Sequence, residues 1–339
     1  MSVTGQHSGP GQPPVSDPRL ASLTAWASAQ LGEPVAPVPA SADASFRRYF
    51  RCQADGRSVI LMDAPPAQED SAPFVDIAGR LKRAGVAVPD VLAVDLAQGF
   101  MALSDLGHET WLTALDADNA DAWFSEALDT LIALQQADTA GLPVYDDALL
   151  RRELALFPDW YLGRHLGLDD SAQPRALLAE LDEVLVTSAL AQAQVFVHRD
   201  YMPRKLMVST PNPGVLDFQD AVRGPVSYDP VCLFRDAFIS WPDARVYAWL
   251  TEYHARAGRA GLPVPARVAD FLRDCDLMGT QRHLKVIGIF ARICHRDGKP
   301  RYLEDVPRFF NYLAAVAARH DTLAPLRRLL AWLPEQAPR

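Results

Sequence analysis

Lysine is scarce in this 339-residue chain: Lys82, Lys205, Lys285 and Lys299 are the whole supply among 33 basic residues. A role that calls for a lysine therefore has few places to fall. Basic charge is also outweighed, 33 Lys+Arg against 42 Asp+Glu for a net charge of −9. No basic stripe runs along the chain, which argues against a nucleic-acid surface, because phosphate backbones are held by clustered cations. No run of about 20 apolar residues occurs, so no membrane-spanning helix is expected. The four cysteines (Cys52, Cys232, Cys275, Cys294) lie far apart with no Cys-x-x-Cys pair. That spacing speaks for buried free thiols in a reducing cytoplasm rather than a disulfide framework or a zinc site. Residues 1–17 are rich in Gly, Pro, Ser and Gln and lack an apolar core, which excludes a signal peptide and reads as a disordered leader.

What is present is ordinary for a soluble globular protein, 49% hydrophobic and 22% charged residues. Asp17-Pro18 is an N-cap with proline at the first helical position, Leu20, Leu23, Ala27 and Leu31 share a helical face, and Gly32 ends the helix. From 45 to 52 the pattern alternates, with Phe46, Arg48, Phe50 and Cys52 against Arg47, Tyr49 and Arg51; Asp55-Gly56 turns the chain, and 58–62 returns as a second strand. A helix over 74–84 and strands over 91–95 and 100–104 complete a small antiparallel-sheet lobe, 18–104. From 105 to 339 the spacing is helical: Trp123, Ala127, Leu128, Leu131 and Leu134, then Leu149, Leu156 and Trp160. Residues 229–332 read as further helices broken at Pro242, Pro263 and Pro265. Short strands over 195–197, 206–208 and 214–217 interrupt this helical half.

Those three strands carry the densest signal. An apolar run, Val195-Phe-Val, delivers His198-Arg199-Asp200 into a loop, a second run leads out, and a third ends on Asp217, 17 positions after Asp200. The layout suits phosphoryl transfer, in which one carboxylate takes the proton of an attacking hydroxyl and another holds the Mg²⁺ that neutralises the phosphates of ATP. Asp200 reads as the base and Asp217 as the metal ligand, since a carboxylate ending an apolar strand needs a positive partner and hard cations take oxygen ligands. Asp220 is a candidate contact to a second metal. His198 reads as structural, its ring bonded to backbone near Asp217. Arg199 is either a local salt-bridge donor or a contact to substrate or phosphate. Gln219 is either a substrate contact or a loop stabiliser. Asp229 reads as a cap of the following helix that supports the loop. The ATP phosphates also need a cation from the sheet lobe, yet position 62 is Met and Lys82 belongs to a helix end. Arg47, Arg48 and Arg51 are the candidates, with Ser45 at a turn of small residues offering backbone N–H groups. Adenine is expected against Leu103, Ser104 and Asp105.

The stretch from His198 resembles the catalytic loop of the aminoglycoside phosphotransferase branch of the kinase-like enzymes, His-x-Asp-x-x-x-x-Asn before an Asp-containing strand. Lys205 stands where that pattern has a metal-binding Asn. Asp43-Ala-Ser-Phe-Arg-Arg-Tyr-Phe-Arg51, Leu216-Asp-Phe-Gln-Asp-Ala221 and Met278-Gly-Thr-Gln281-Arg282-His283 are similar to the branch as well, closest to its members that act on cell-wall amino sugars. The resemblance implies an α+β protein-kinase-like fold of two lobes, a small antiparallel-sheet lobe and a mostly helical one. It implies a cytoplasmic, monomeric enzyme with ATP and Mg²⁺ as cofactors and amino sugars as acceptors, with no nucleic-acid or membrane partner. The activity it implies is phosphorylation of the anomeric hydroxyl of N-acetylmuramate and N-acetylglucosamine to sugar 1-phosphates, in peptidoglycan recycling. Gln281, Arg282 and Arg292 are then sugar contacts, an arginine being suited to a lactyl carboxylate. Two other readings stand beside it. One changes the acceptor to an aminoglycoside, choline or a homoserine-like molecule. The other, a nucleotide-binding pseudokinase scaffold, is favoured by the missing strand lysine and by Lys205 and opposed by Asp200 and Asp217.

Overall fold

The structure, a computed structural model, describes residues 17–41, 46–168 and 172–333. The expected leader through residue 16 and the turn that holds Ser45 lie outside the described residues. Two compact units form, one from the chain up to Ala72 with Asp90–Asp105, the other from Pro73–Pro89 with the chain from Leu106 onward.

The first unit is a helix on a sheet. α1 (Pro18–Leu31) starts where the Asp17 carboxylate accepts the amides of Arg19 and Leu20, and ends at Gly32 with φ +79°. β1 (Val38–Ser41), β2 (Arg48–Ala54), β3 (Arg57–Asp63), β4 (Val91–Asp95) and β5 (Phe100–Ser104) form one antiparallel sheet in the order β1-β2-β3-β5-β4. Asp55 and Gly56, both at positive φ, make the tight turn between β2 and β3. Leu23 and Ala27 of α1 pack on Phe50, Cys52, Ala54, Val59, Leu61, Phe100 and Ala102 of the sheet. Gly99 turns β4 into β5 at φ +73°, and a Cβ there would lie 1.9 Å from the Ala64 carbonyl oxygen. β1 was not expected from the pattern. Its Pro39 hides a strand signal, yet proline is tolerated there because β1 is an edge. β2 starts at Arg48 rather than 45, leaving Phe46 62% exposed and Arg47 outside the strand.

The second unit contains α2 (Ala72–Arg83), α3 (Trp111–Ala114), α4 (Ala120–Gln135), α5 (Asp147–Leu154), a π-helical segment Phe157–His165 and α6 (Ala172–Ala191). After α6 come β6 (Gln194–Val197), β7 (Leu206–Met207), β8 (Gly214–Val215) and β9 (Val222–Pro225), paired β6 with β9 and β7 with β8. α7 (Tyr228–Phe234), α8 (Asp243–Arg259), α9 (Val268–Asp297), α10 (Val306–Ala317) and α11 (Ala324–Trp332) finish it. The helical spacing through Leu149, Leu156 and Trp160 belongs to two segments, because Pro158 lacks the amide that would bond back to Leu154 and the turn widens. α9 approaches this widened segment at Gly288, where a Cβ would lie 2.3 Å from the carbonyl carbon of Leu156. The expected strand 214–217 ends at Val215. Leu216 donates its amide to the Lys205 carbonyl at 3.0 Å, and Asp217 turns the chain at φ +65°.

Candidate active site

The apolar, buried residues 195–197 of β6 deliver His198 into the interior with no exposed surface. The His198 ring reaches the Leu216 carbonyl through Nε2 at 3.0 Å. A carbonyl can only accept, so Nε2 carries the proton and Nδ1 accepts the Asp200 amide at 3.2 Å. Burial pushes the pKa of this imidazole below its ordinary value, in keeping with a neutral ring. His198 thus ties the segment before Asp217 to the backbone of Asp200, the structural place expected for it.

Asp229 holds the same loop from α7. Its two carboxylate oxygens accept the amides of His198 at 2.7 Å and Arg199 at 3.0 Å. The expected helix cap is corrected here: Ser227 occupies the N-cap position, and the Asp229 side chain turns to the loop instead. Burial raises the Asp229 pKa to about 7 against the lowering effect of the two amides. Arg199 sits at φ +77°, a conformation that costs a side-chain-bearing residue about 1–3 kcal/mol and needs such anchors. Tyr201 closes the loop against α4 through its hydroxyl and the Ala127 carbonyl, 2.9 Å apart.

Lys205 places its ammonium 2.5 Å from Asp217 Oδ2, while Gln219 donates its amide to Oδ1 at 2.7 Å. Burial pushes the Asp217 pKa up, but the Lys205 charge and the two hydrogen bonds outweigh it and hold the carboxyl below its usual range. Gln219 is therefore a brace for Asp217, with its own Oε1 buried and unpartnered. Asp220 is exposed. Among the described residues no group of three or more His, Cys, Asp or Glu side chains gathers as a metal-holding set. Asp217 has the hard oxygen donors a divalent cation takes, but it can offer them only with the Lys205 ammonium displaced.

Arg199 pairs with Glu153 of α5, a local salt bridge of the kind expected as one of its two roles. Gln281 and Arg282 are buried in α9 rather than facing water. Gln281 donates to Glu153 at 3.3 Å, and Arg282 donates to the Arg235 carbonyl at 3.2 Å and meets the Met202 sulfur of the loop at 4.0 Å. Arg292, partly buried further along α9, has a buried Nε without a partner. A cavity of about 470 Å³ opens in this unit between Ser240, Asp243, Arg308, Asn311 and Tyr312, and none of Gln281, Arg282 or Arg292 lines it.

The sheet unit holds the other candidates. Arg48 lies on the face covered by α1, over the Phe50 ring, bonded to Asp17 and at 2.5 Å to the buried Asp63. Arg51 makes a bidentate pair with Asp105, 2.6 and 3.0 Å, joined by Ser58 Oγ at 2.5 Å. Arg47 pairs with Glu69 at 2.9 Å. Leu103 is buried in β5, and the Ser104 hydroxyl accepts the Asp90 amide at 2.8 Å. Sequence reasoning missed Glu153, Tyr145, Tyr228 and Lys285, which form one buried polar cluster beside the loop. A lysine between Leu284 and Val286 in so lysine-poor a chain was the available signal.

A five-stranded antiparallel sheet with a helical unit that carries a His-Arg-Asp loop defines a protein-kinase-like fold. The solved structures of ADP-bound aminoglycoside phosphotransferase APH(2'')-Ib (TM-score 0.59, 14% identity, 91% of this chain and 99% of that one) and choline kinase from Cryptosporidium parvum (TM-score 0.60, 10% identity, 88% and 93%) share it. Residues 37–271 match the profile described as the phosphotransferase enzyme family, and the chain belongs to that family. The N-acetylmuramate/N-acetylglucosamine kinase of Pseudomonas aeruginosa is 58% identical over 333 residues, 95% of this chain and 98% of its own length. The protein of the same name from Neisseria meningitidis is 46% identical, across 87% and 89%.

Proposed function

We propose that this protein is an ATP-dependent kinase of N-acetylmuramate and N-acetylglucosamine that phosphorylates the anomeric hydroxyl. The observation that carries the reading is the loop itself, in which the Asp200 amide is held by His198, the amides of His198 and Arg199 are held by Asp229, and Asp217 is aligned by Gln219. Full-length similarity to kinases named for these two sugars supports the acceptor. Asp200 accepts a hydrogen bond from the sugar hydroxyl, orients it and takes its proton late in transfer. The anomeric hydroxyl is more acidic than an ordinary alcohol, so little basicity is asked of the carboxylate. Magnesium, when bound with ATP, supplies neutralisation of the phosphate charge, and Asp217 is the residue that would hold it in exchange for Lys205. Arg51 of β2 is the phosphate cation in place of a strand lysine. Arg282 and Gln281 shape the acceptor side from α9. We place the enzyme in the cytoplasm as a monomer acting in cell-wall recycling; no helix among the described residues is long and apolar enough to cross a membrane. The Lys205–Asp217 pair favours one other reading, a nucleotide-binding scaffold without turnover.

The test is a panel of amino sugars, aminoglycosides and choline with labelled ATP, with NMR to locate the phosphorylated atom. Phosphate at C1 of the two N-acetyl sugars is expected. Phosphate only on another hydroxyl, or only on an aminoglycoside or choline, refutes the acceptor, and nucleotide binding without transfer establishes the scaffold.

A further inference from the structure

We propose that Glu153 is a positioning residue of the phosphotransfer loop, its buried carboxylate clamping the Arg199 side chain and thereby fixing the backbone from which Asp200 projects. The proposal rests on the kinase reading above.

Glu153 lies at the end of α5, 4% exposed, and both of its oxygens are doubly engaged. Oε1 receives Arg199 Nη2 and, at 2.8 Å, Lys285 Nζ. Oε2 receives the Tyr145 hydroxyl and, at 3.3 Å, Gln281 Nε2. A carboxylate has about four acceptor positions, so this one is saturated. Burial pushes its pKa up, but the charges of Lys285 and Arg199 outweigh it and bring the value down to about 2. The group is an anion at every working pH.

The donors come from separate parts of the helical unit. Arg199 is in the loop, Lys285 and Gln281 are one turn apart on α9, and Tyr145 bonds its amide to the Arg223 carbonyl of β9 at 2.9 Å. Lys285 also donates to the Tyr228 hydroxyl at 3.0 Å, and Tyr228 precedes Asp229, which holds the loop backbone. Arg199 is thus fixed twice, by Asp229 at its amide and by Glu153 at its guanidinium, while Cys232 Sγ donates to its carbonyl at 3.2 Å. Two anchors on one residue are what its positive φ requires, and Asp200 is the next residue along. Lys285 is also drawn electrostatically to Asp200. If the Glu153 charge were lost, two buried cations would stand without their carboxylate, close to the proposed base.

The experiment uses the full chain with ATP and the best acceptor, and compares Glu153→Gln, Arg199→Gln and the double variant. Each single change should lower kcat on the order of 10- to 100-fold, the cost of misplacing a reacting group by about an ångström, while KM for ATP stays within about threefold. Because Glu153 acts through Arg199, the double variant should be no worse than the weaker single one within about threefold, rather than multiplicatively worse. Full kcat in Arg199→Gln overturns the proposal even if Glu153→Gln fails to fold, since Arg199→Gln leaves Glu153 with Lys285, Tyr145 and Gln281. Multiplicative losses, or unchanged kcat in Glu153→Gln, also overturn it. A parent enzyme that transfers phosphate to no acceptor instead removes the kinase reading and the proposal with it.

Discussion

Replacing Lys205 by Asn should tighten the hold of the site on a divalent cation and speed phosphoryl transfer. The ammonium stands 2.5 Å from Asp217 Oδ2, with side-chain exposures of 17% for Lys205 and 31% for Asp217. At an effective dielectric constant of about 20, charges that close attract by roughly 7 kcal/mol, most of it offset by lost hydration. Breaking a fully buried pair costs about 3–5 kcal/mol, and partial exposure brings this one to about 2 kcal/mol. A cation that binds Asp217 must overcome that term, which corresponds to about 30-fold in affinity. The assay is a Mg²⁺ titration of the ADP complex by calorimetry, alongside the transfer rate as a function of free Mg²⁺. Lys205→Asn should lower the midpoint about 30-fold and raise kcat. Lys205→Met should lower the midpoint with a smaller gain in rate, because it removes the charge without adding an oxygen donor. An unchanged midpoint, or a slower enzyme in both variants, would show that the ammonium is a working part of the site and that competition with metal is the wrong description.

Asp200→Ala and Asp217→Ala should each cut turnover by orders of magnitude, with ATP affinity lost more in the second; equal ATP affinity in the two contradicts the assigned roles. Arg51→Met should weaken ATP binding, whereas Arg48→Met should lower the melting temperature, because it leaves the buried Asp63 with Arg19 alone; the reverse pattern places the phosphate cation on Arg48. The pKa of Asp229 is raised to about 7 in the folded state from 3.8, so its contribution to stability is complete below pH 3.8 and is lost as pH rises through 7. Asp229→Asn does not titrate, so its deficit in melting temperature relative to the parent should shrink by several degrees between pH 5 and pH 8, and a constant deficit refutes the assignment. Gly288→Ala should destabilise by about 1–3 kcal/mol or more, read by denaturant unfolding, since the new methyl meets the Leu156 carbonyl; an unchanged midpoint means that α9 and the π-helical segment shift apart at little cost.

Local rules decided what the chain could say unaided. The Asp17 cap, the Asp55-Gly56 turn and the strands expected over 58–62 and 100–104 follow from backbone stereochemistry and side-chain type within a few residues, and each lies within the element observed there. The His198-Arg199-Asp200 loop between apolar strands and the bond from His198 toward Asp217 were legible for the same reason: a short buried strand can deliver only a few residues to its end. What was not legible depends on partners distant in sequence. Pro39 masked an edge strand that exists only because β2 lies beside it. Arg199 could have faced substrate or a carboxylate, and packing of α5 against the loop chose Glu153, 46 residues away. Gln281 was expected at the sugar and Lys285 carried no expectation, until folding set the Glu153 carboxylate against both. Lys205 showed a charge in an unexpected place, but only the tertiary fold determined that its ammonium reaches Asp217, because a charge declares its role through the partner that the rest of the chain brings to it.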